Sequence, residues 1–128
     1  MPTQTEVAGT MQLMAEAFIR ASADEGAKLG WEADDASRLD GICDAFLRSN
    51  PPEDVQNSMV MAMGAYLGEL LVRTGGGQWT YDADQQEAAV IMPNGTHGYP
   101  HSKVAKRLYL GAEHDLLDFY ERSLAPAA

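Results

Sequence analysis

Cysteine is all but missing from this chain: Cys43 is the only one among 128 residues. A single thiol excludes an intrachain disulfide and a multi-cysteine zinc site. Long apolar runs are lacking too. Gly64, Gly68 and Glu69 interrupt the most hydrophobic stretch, so no membrane span is expected. The leading residues MPTQTEVAGT carry neither a basic region nor an apolar run, and no secretory signal is read in them. The expectation is a soluble, cytoplasmic protein. Positive charge is scarce as well: nine Lys and Arg stand against nineteen Asp and Glu, a net charge of −10. Residues 1–64 hold eleven acidic and four basic side chains, a net of −7, and residues 65–128 hold eight and five, a net of −3. A surface this acidic repels phosphate backbones and argues against nucleic-acid binding.

What is present suits one domain over residues 1–128. At 45% hydrophobic composition, a chain of this length buries roughly two-thirds of its unfolded surface and stands without staples. Val7, Met11, Met14, Phe18 and Ala21 recur at steps of four and three, which predicts a helix from about Thr5 to Lys28. Gly26 and Gly30 bracket its end. Asp34 or Asp35 is placed to cap a second helix, whose apolar stripe is Leu39, Ile42, Cys43, Phe46 and Leu47. Cys43 lies inside that stripe, with no neighbouring His or cationic cluster, and reads as a buried, inert thiol.

Asn50-Pro51-Pro52-Glu53 marks a third helix start, with Asn50 as cap, Pro51 in the first helical position and Glu53 as the capping-box carboxylate. From Val55 through Met59, Ala62, Met63, Tyr66, Leu67, Leu70 and Leu71 one apolar face continues for about six turns. This helix belongs at the centre of the fold. Gly64 and Gly68 within it cost about 1 kcal/mol each in helix propensity, which implies the close approach of another backbone. At Gly75-Gly76-Gly77 the period changes from helical to alternating. Phosphate-cradling glycine loops follow a strand and open a helix, whereas this one does the reverse, so it reads as a structural turn.

Gln78–Asp82 and Ala88–Met92 alternate as strands do, and Pro93-Asn94-Gly95 is a hairpin signal leading into Thr96–Tyr99. Pro100 ends this three-stranded antiparallel meander. Ser102 is placed to cap a short helix with Val104, Leu108 and Leu110 facing inward, and with Lys103, Lys106 and Arg107 on a common side. Gly111 breaks it, and Leu116, Leu117, Phe119, Tyr120 and Leu124 form a last amphipathic helix. The fold class is α+β: three N-terminal helices, the meander, two C-terminal helices.

Tyr66-Leu67-Gly68-Glu69, Gly76-Gly77-Gln78-Trp79, Lys103-Val104 with Lys106-Arg107-Leu108, and Phe119-Tyr120 together carry a resemblance. Leu39-Asp40 fits the same pattern loosely. From about Trp31 onward the chain resembles a bacterial domain-of-unknown-function family, frequent in actinobacteria and without a settled activity. The resemblance implies a single α+β domain, and it implies that Glu69, Trp79 and the Lys103–Arg107 segment belong to one feature.

Glu69 interrupts an otherwise apolar run, either as a solvated edge residue or as a buried carboxylate that must find a partner. Arg73, four residues on, is the nearest candidate; Lys103, Lys106, Arg107 or the Trp79 indole are more distant ones. His97 and His101 are four apart, but Gly98 and Pro100 put them on extended chain. There they would stand about 13 Å apart, too far to share a metal ion. Ser102 beside His101 lacks the third member and the elbow of a hydrolytic triad. No metal site and no cofactor are expected.

Two functional classes follow. The first is a non-catalytic protein-interaction module of immunity, adaptor or chaperone type, whose partner is another protein. The second is a small enzyme or ligand-binding domain with a pocket between the central helix and the meander, lined by Tyr66, Glu69, Trp79, His97, Tyr99 and His101. Seven methionines, with Met59, Met61, Met63 and Met92 among them, point to a weakly held homodimer, because methionine adapts well to interfaces.

Overall fold

Thr3 starts the chain's first element with a complete capping box: its hydroxyl accepts from Glu6 N–H while the Glu6 carboxylate accepts from Thr3 N–H. The computed structural model describes residues 2–126. Helix α1 runs Gln4–Asp24, α2 Asp34–Arg48 and α3 Glu53–Gly75. Strands β1 (Gln78–Asp82), β2 (Glu87–Ile91) and β3 (His97–Gly98) follow, then α4 (Pro100–Leu110) and α5 (Leu116–Leu124). The sheet is an antiparallel meander in the order β1-β2-β3, with Trp79 opposite Val90 and Val90 opposite Gly98. The α+β order expected from the change of period is the order observed.

Helix α3 is the axis. Every residue from Met63 to Leu71 is buried, Gly64, Gly68 and Glu69 included. Such a helix must be covered all round, and it is: α1 and α4 pack along it, with β1, β2, α2 and α5 completing the cover. The two interior glycines make room for these neighbours. A Cβ at Gly64 would stand 2.9 Å from His101 Cα, so the start of α4 lies directly on this turn of α3. At Gly68 the Trp79 ring fills the space a side chain would need, with Pro100 Cγ 3.0 Å from the same point. Gly76 then ends the helix at φ 75, a left-handed conformation in which glycine has no Cβ penalty.

Several local expectations are corrected. Helix α1 stops at Asp24 rather than Lys28, because Gly26 at φ 88 turns the chain first. Neither Asp34 nor Asp35 caps α2, since both are already helical and Ala33 holds the cap position. Asn50 does not cap α3 either. It takes φ 52 in the tight connection from α2, a conformation asparagine tolerates better than most residues, and Pro52 becomes the cap position. Helix α4 begins at Pro100, which suits a first helical position; Ser102 uses its hydroxyl on Glu87 instead, and Leu110 is exposed rather than inward. Of the four methionines invoked for a homodimer, Met63 and Met92 are in the core and Met61 alone is well exposed.

Candidate functional site

The Glu69 side chain is buried, with 6% of the residue exposed, and both its oxygens are engaged. Oε1 accepts from Trp79 Nε1 at 3.0 Å, and Oε2 from Arg73 Nε at 2.9 Å. Arg73 reaches on to Glu16 of α1 at 3.2 Å, and its guanidinium lies 3.8 Å from the centroid of the Trp31 ring. Trp31 in turn stacks on Tyr66 at 5.2 Å, and the Tyr66 hydroxyl donates to the Gly30 carbonyl at 2.6 Å. Burial raises the Tyr66 phenol well above its ordinary value, and Asp35 adds to the rise. These side chains tie α1, the Gly30–Trp31 connection, α3 and β1 into one network. Of the partners considered for Glu69, Arg73 and Trp79 are the ones it meets.

Lys103, Lys106 and Arg107 do not meet it, and they do not act together. Arg107 turns inward on the other side of α4, 3% exposed, where Nε donates to Asp40 at 3.0 Å and a terminal nitrogen to Asp44 at 2.7 Å. Asp40 also accepts from the Leu116 and Leu117 amides, each at 3.0 Å, so a side chain of α2 caps α5. Burial and the adjacent Asp115 carboxyl lift Asp40 above the usual carboxylate range despite those donors. Asp115, more open, is held below that range by its hydrogen bond to Asp40. Cys43 lies under this cluster, its thiol pushed up to about 12 by burial although Arg107 pulls the other way.

His101 sits on the Gly64 turn, 6.3 Å from the Trp79 ring. Its Nε2 is buried and has no hydrogen-bond partner among the described residues. Burial lowers its pKa below the ordinary 6.5, outweighing the upward pull of the Met61 backbone and of Glu87. His97, by contrast, is exposed on β3. The two histidines therefore look to different surroundings, and among the described residues no group of three or more His, Cys, Asp or Glu is arranged to hold a metal ion.

The remaining candidates converge on a cleft of about 470 Å³ between β3 and α4, where His97, Tyr99, Ser102, Lys103 and Lys106 meet Glu87. Ser102 donates to both Glu87 oxygens at 2.7 and 2.9 Å, and Tyr99 donates to Asp82 at 2.6 Å. That last bond raises the Tyr99 phenol and lowers Asp82. The candidate residues thus divide. Tyr66, Glu69, Trp79, His101 and Arg107 are buried; His97, Tyr99, Lys103 and Lys106 border an open cleft. The junction of α3 with the meander is itself filled by Trp79 lying on Gly68.

A larger opening lies elsewhere. A groove of about 830 Å³ runs between α1, α2 and the first half of α3, bounded by Phe18 and Ala21, by Ala45 and Phe46, and by Val55 and Met59. It exists because α1 packs along α3 while α2 packs chiefly on α5, so the two flanking helices diverge. The sequence signal for it was small: Ala17, Ala21, Ala45 and Ala62 stand at the edges of apolar stripes where a close-packed core would call for larger residues.

The chain matches no protein family, no curated protein and no solved structure with which it was compared. Among the described residues no helix is long and apolar enough to cross a membrane.

Proposed function

We propose that this is a non-catalytic protein-interaction module, of adaptor, immunity or chaperone type, acting through the groove of its three N-terminal helices. One observation carries the reading: the groove of about 830 Å³ is bounded almost wholly by aliphatic, aromatic and small side chains, with Glu25 the only ionisable lining residue among the described residues. Contiguous apolar surface of this kind marks a place where another apolar surface docks. Catalysis needs a nucleophile, acid or base facing the opening, and a single rim carboxylate with three serines does not make that arrangement. Among the buried polar groups, Glu69 is engaged with Trp79 and Arg73 and Arg107 with Asp40 and Asp44, while His101 Nε2 alone has no hydrogen-bond partner among the described residues.

The test is recovery of partners from the source cell with wild-type protein and with two sets of variants. Ala21→Arg and Ala45→Arg obstruct the groove at exposed positions; Lys103→Glu and Lys106→Glu alter the β3–α4 cleft. Loss of a specific partner with the groove set alone supports the reading, and a partner indifferent to both groove variants overturns it.

The convergence of His97, Tyr99, Lys103 and Lys106 favours a second reading, a ligand-binding domain whose site is the β3–α4 cleft. Under it the Lys103 and Lys106 variants, not the groove variants, abolish function.

A further inference from the structure

The ends of the groove are not alike, and the difference points to what fills it. Glu16 pairs with Arg73 and Phe18 contacts Tyr66, so α1 runs antiparallel to α3. The C-terminal end of α1 and the N-terminal end of α3 therefore lie at the same end of the helix pair, where Glu25 and Val55 line one groove. Asp24 and Glu25 close the one; Glu53 and Asp54 open the other, next to the lining residue Val55. All four are exposed, and none enters a salt bridge among the described residues. Helix α2 also ends here, since only residues 49–52 separate it from α3. Two helix C-termini, each with partial negative charge, thus join four free carboxylates at one end. Arg20, Lys28 and Arg48 are the cations in the adjoining turns, against these four carboxylates.

We infer that the groove receives an amphipathic helix of a partner protein, its apolar stripe along the groove and a cluster of Lys or Arg at the end that meets Asp24, Glu25, Glu53 and Asp54. The inference rests on the interaction reading above and adds the chemistry of the partner. The groove follows α1 from Met14 to its cap at Glu25, a span of about 16 Å at helical rise, which a partner helix of roughly 11 residues would match. Apolar residues at i, i+3, i+4 and i+7 would enter between the walls. The alanines at the walls leave room for large side chains from the partner. A second copy of this chain fits less well, because each copy carries −10 and would bring like charge to an acidic rim.

The experiment uses two synthetic peptides with the same leucine stripe, one carrying a terminal Lys/Arg cluster and the other Glu in its place. Binding is read by anisotropy of the labelled peptide and located by amide chemical-shift changes. The basic peptide should bind at least about tenfold more tightly than the acidic one, with changes confined to α1, α2 and the first half of α3. Ala21→Arg, Ala45→Arg and Val55→Lys should each weaken it, and Glu25→Lys with Glu53→Lys should remove the preference for the basic peptide. These positions are exposed, and an unchanged circular dichroism melt confirms that each variant folds. Equal binding of both peptides, or binding that the groove variants leave intact, overturns the inference. So does a dimer in light scattering that dissociates in the Ala45→Arg variant, since the occupant is then a second copy. If neither peptide binds yet a cellular partner is still lost with the groove variants, the basic helix is wrong and the interaction reading stands. If no partner depends on the groove, both fall.

Discussion

The Trp79 indole N–H donates to Glu69 Oε1 at 3.0 Å, across a junction where the chain leaves its central helix, passes through Gly75–Gly77 and returns as β1. Ten residues apart, the two side chains lock the sheet to the helix on which it lies. The second carboxylate oxygen meets Arg73, whose side chain is 30% exposed. Removing Glu69 therefore leaves one donor buried and unpaired, the indole, while the arginine turns to water and Glu16. Glu69→Ala should destabilise the fold by about 1–3 kcal/mol, the range for orphaning one buried polar group. Glu69→Gln keeps an acceptor for the indole and should cost about 1 kcal/mol or less, since a partly exposed ion pair contributes little. Urea unfolding followed by tryptophan fluorescence measures both. Equal losses for Ala and Gln would show that the ion pair, not the indole bond, holds the junction.

The interior glycines of α3 invert the usual effect of alanine. In an exposed helix Gly→Ala gains about 1 kcal/mol. Here a Cβ at position 64 would come within 2.9 Å of His101 Cα, a backbone atom that moves only if α4 moves. Gly64→Ala should be destabilising by about 1–3 kcal/mol, the cost of overpacking a filled core. Gly68→Ala pushes on the Trp79 ring instead and should also disturb the indole bond. Gly9→Ala, with nothing near its Cβ on the exposed side of α1, is the control and should stabilise. A stabilising Gly64→Ala would refute the close approach of α4.

Arg107 holds three helices through one guanidinium, bonding Asp40 and Asp44 of α2 from α4, while Asp40 caps α5. Arg107→Ala leaves Asp40 half-buried without its cation. The cost should be about 3 kcal/mol, at the low end for a broken buried pair because Asp44 is half exposed and solvated. Arg107→Lys should recover only part of that, since one ammonium cannot reproduce the forked donors. Calorimetric melts of the two variants test this, and a fully rescued lysine variant would rule out the role of the fork.

The legible part of this structure was what periodicity and partner-seeking dictate. The switch at Gly75–Gly77 places the meander, and a carboxylate inside an apolar stripe must find donors, which picks out Glu69 but leaves Lys103, Lys106 and Arg107 as candidate partners beside Arg73 and Trp79. Arg107 was not separable from Lys103 and Lys106, because spacing of three and four assigns residues to a helix face but not which side of that face is covered. Helix α4 is covered on the side of Arg107 and open on the side of Lys106. The groove was hidden for a related reason. Val7, Met11 and Phe18 are buried while Met14 and Ala21 of the same stripe line an opening; an apolar period shows that a face seeks cover and not whether the chain itself supplies it. Asn50 reads as a cap in the sequence because Pro51 resembles a helix start, whereas the short connection from α2 needs a left-handed residue there.

Acid should weaken the fold in two separate ranges, the first set by His101 and the second by depressed carboxylates, of which Asp35 is the most buried. Burial depresses the pKa of His101 below the ordinary 6.5. As pH falls, the unfolded chain takes up that proton before the folded one does, so stability is full above about 6.5 and declines as pH moves down toward the folded value. Asp35 behaves in the same sense at lower pH. Burial raises its pKa, but the Glu32 amide, Arg38 and the Gly30 backbone outweigh that and hold it below 3.8. Its contribution is complete above the unfolded value and lost as pH drops through the folded one. His101→Leu should therefore flatten the stability curve between about pH 7 and pH 5 and leave the acid limb intact, while Asp35→Asn should flatten only the region below about pH 4. Denaturant midpoints for wild type and both variants across that range decide the matter. A His101→Leu curve that declines between pH 7 and 5 as steeply as wild type would mean that the buried imidazole is not the group responsible.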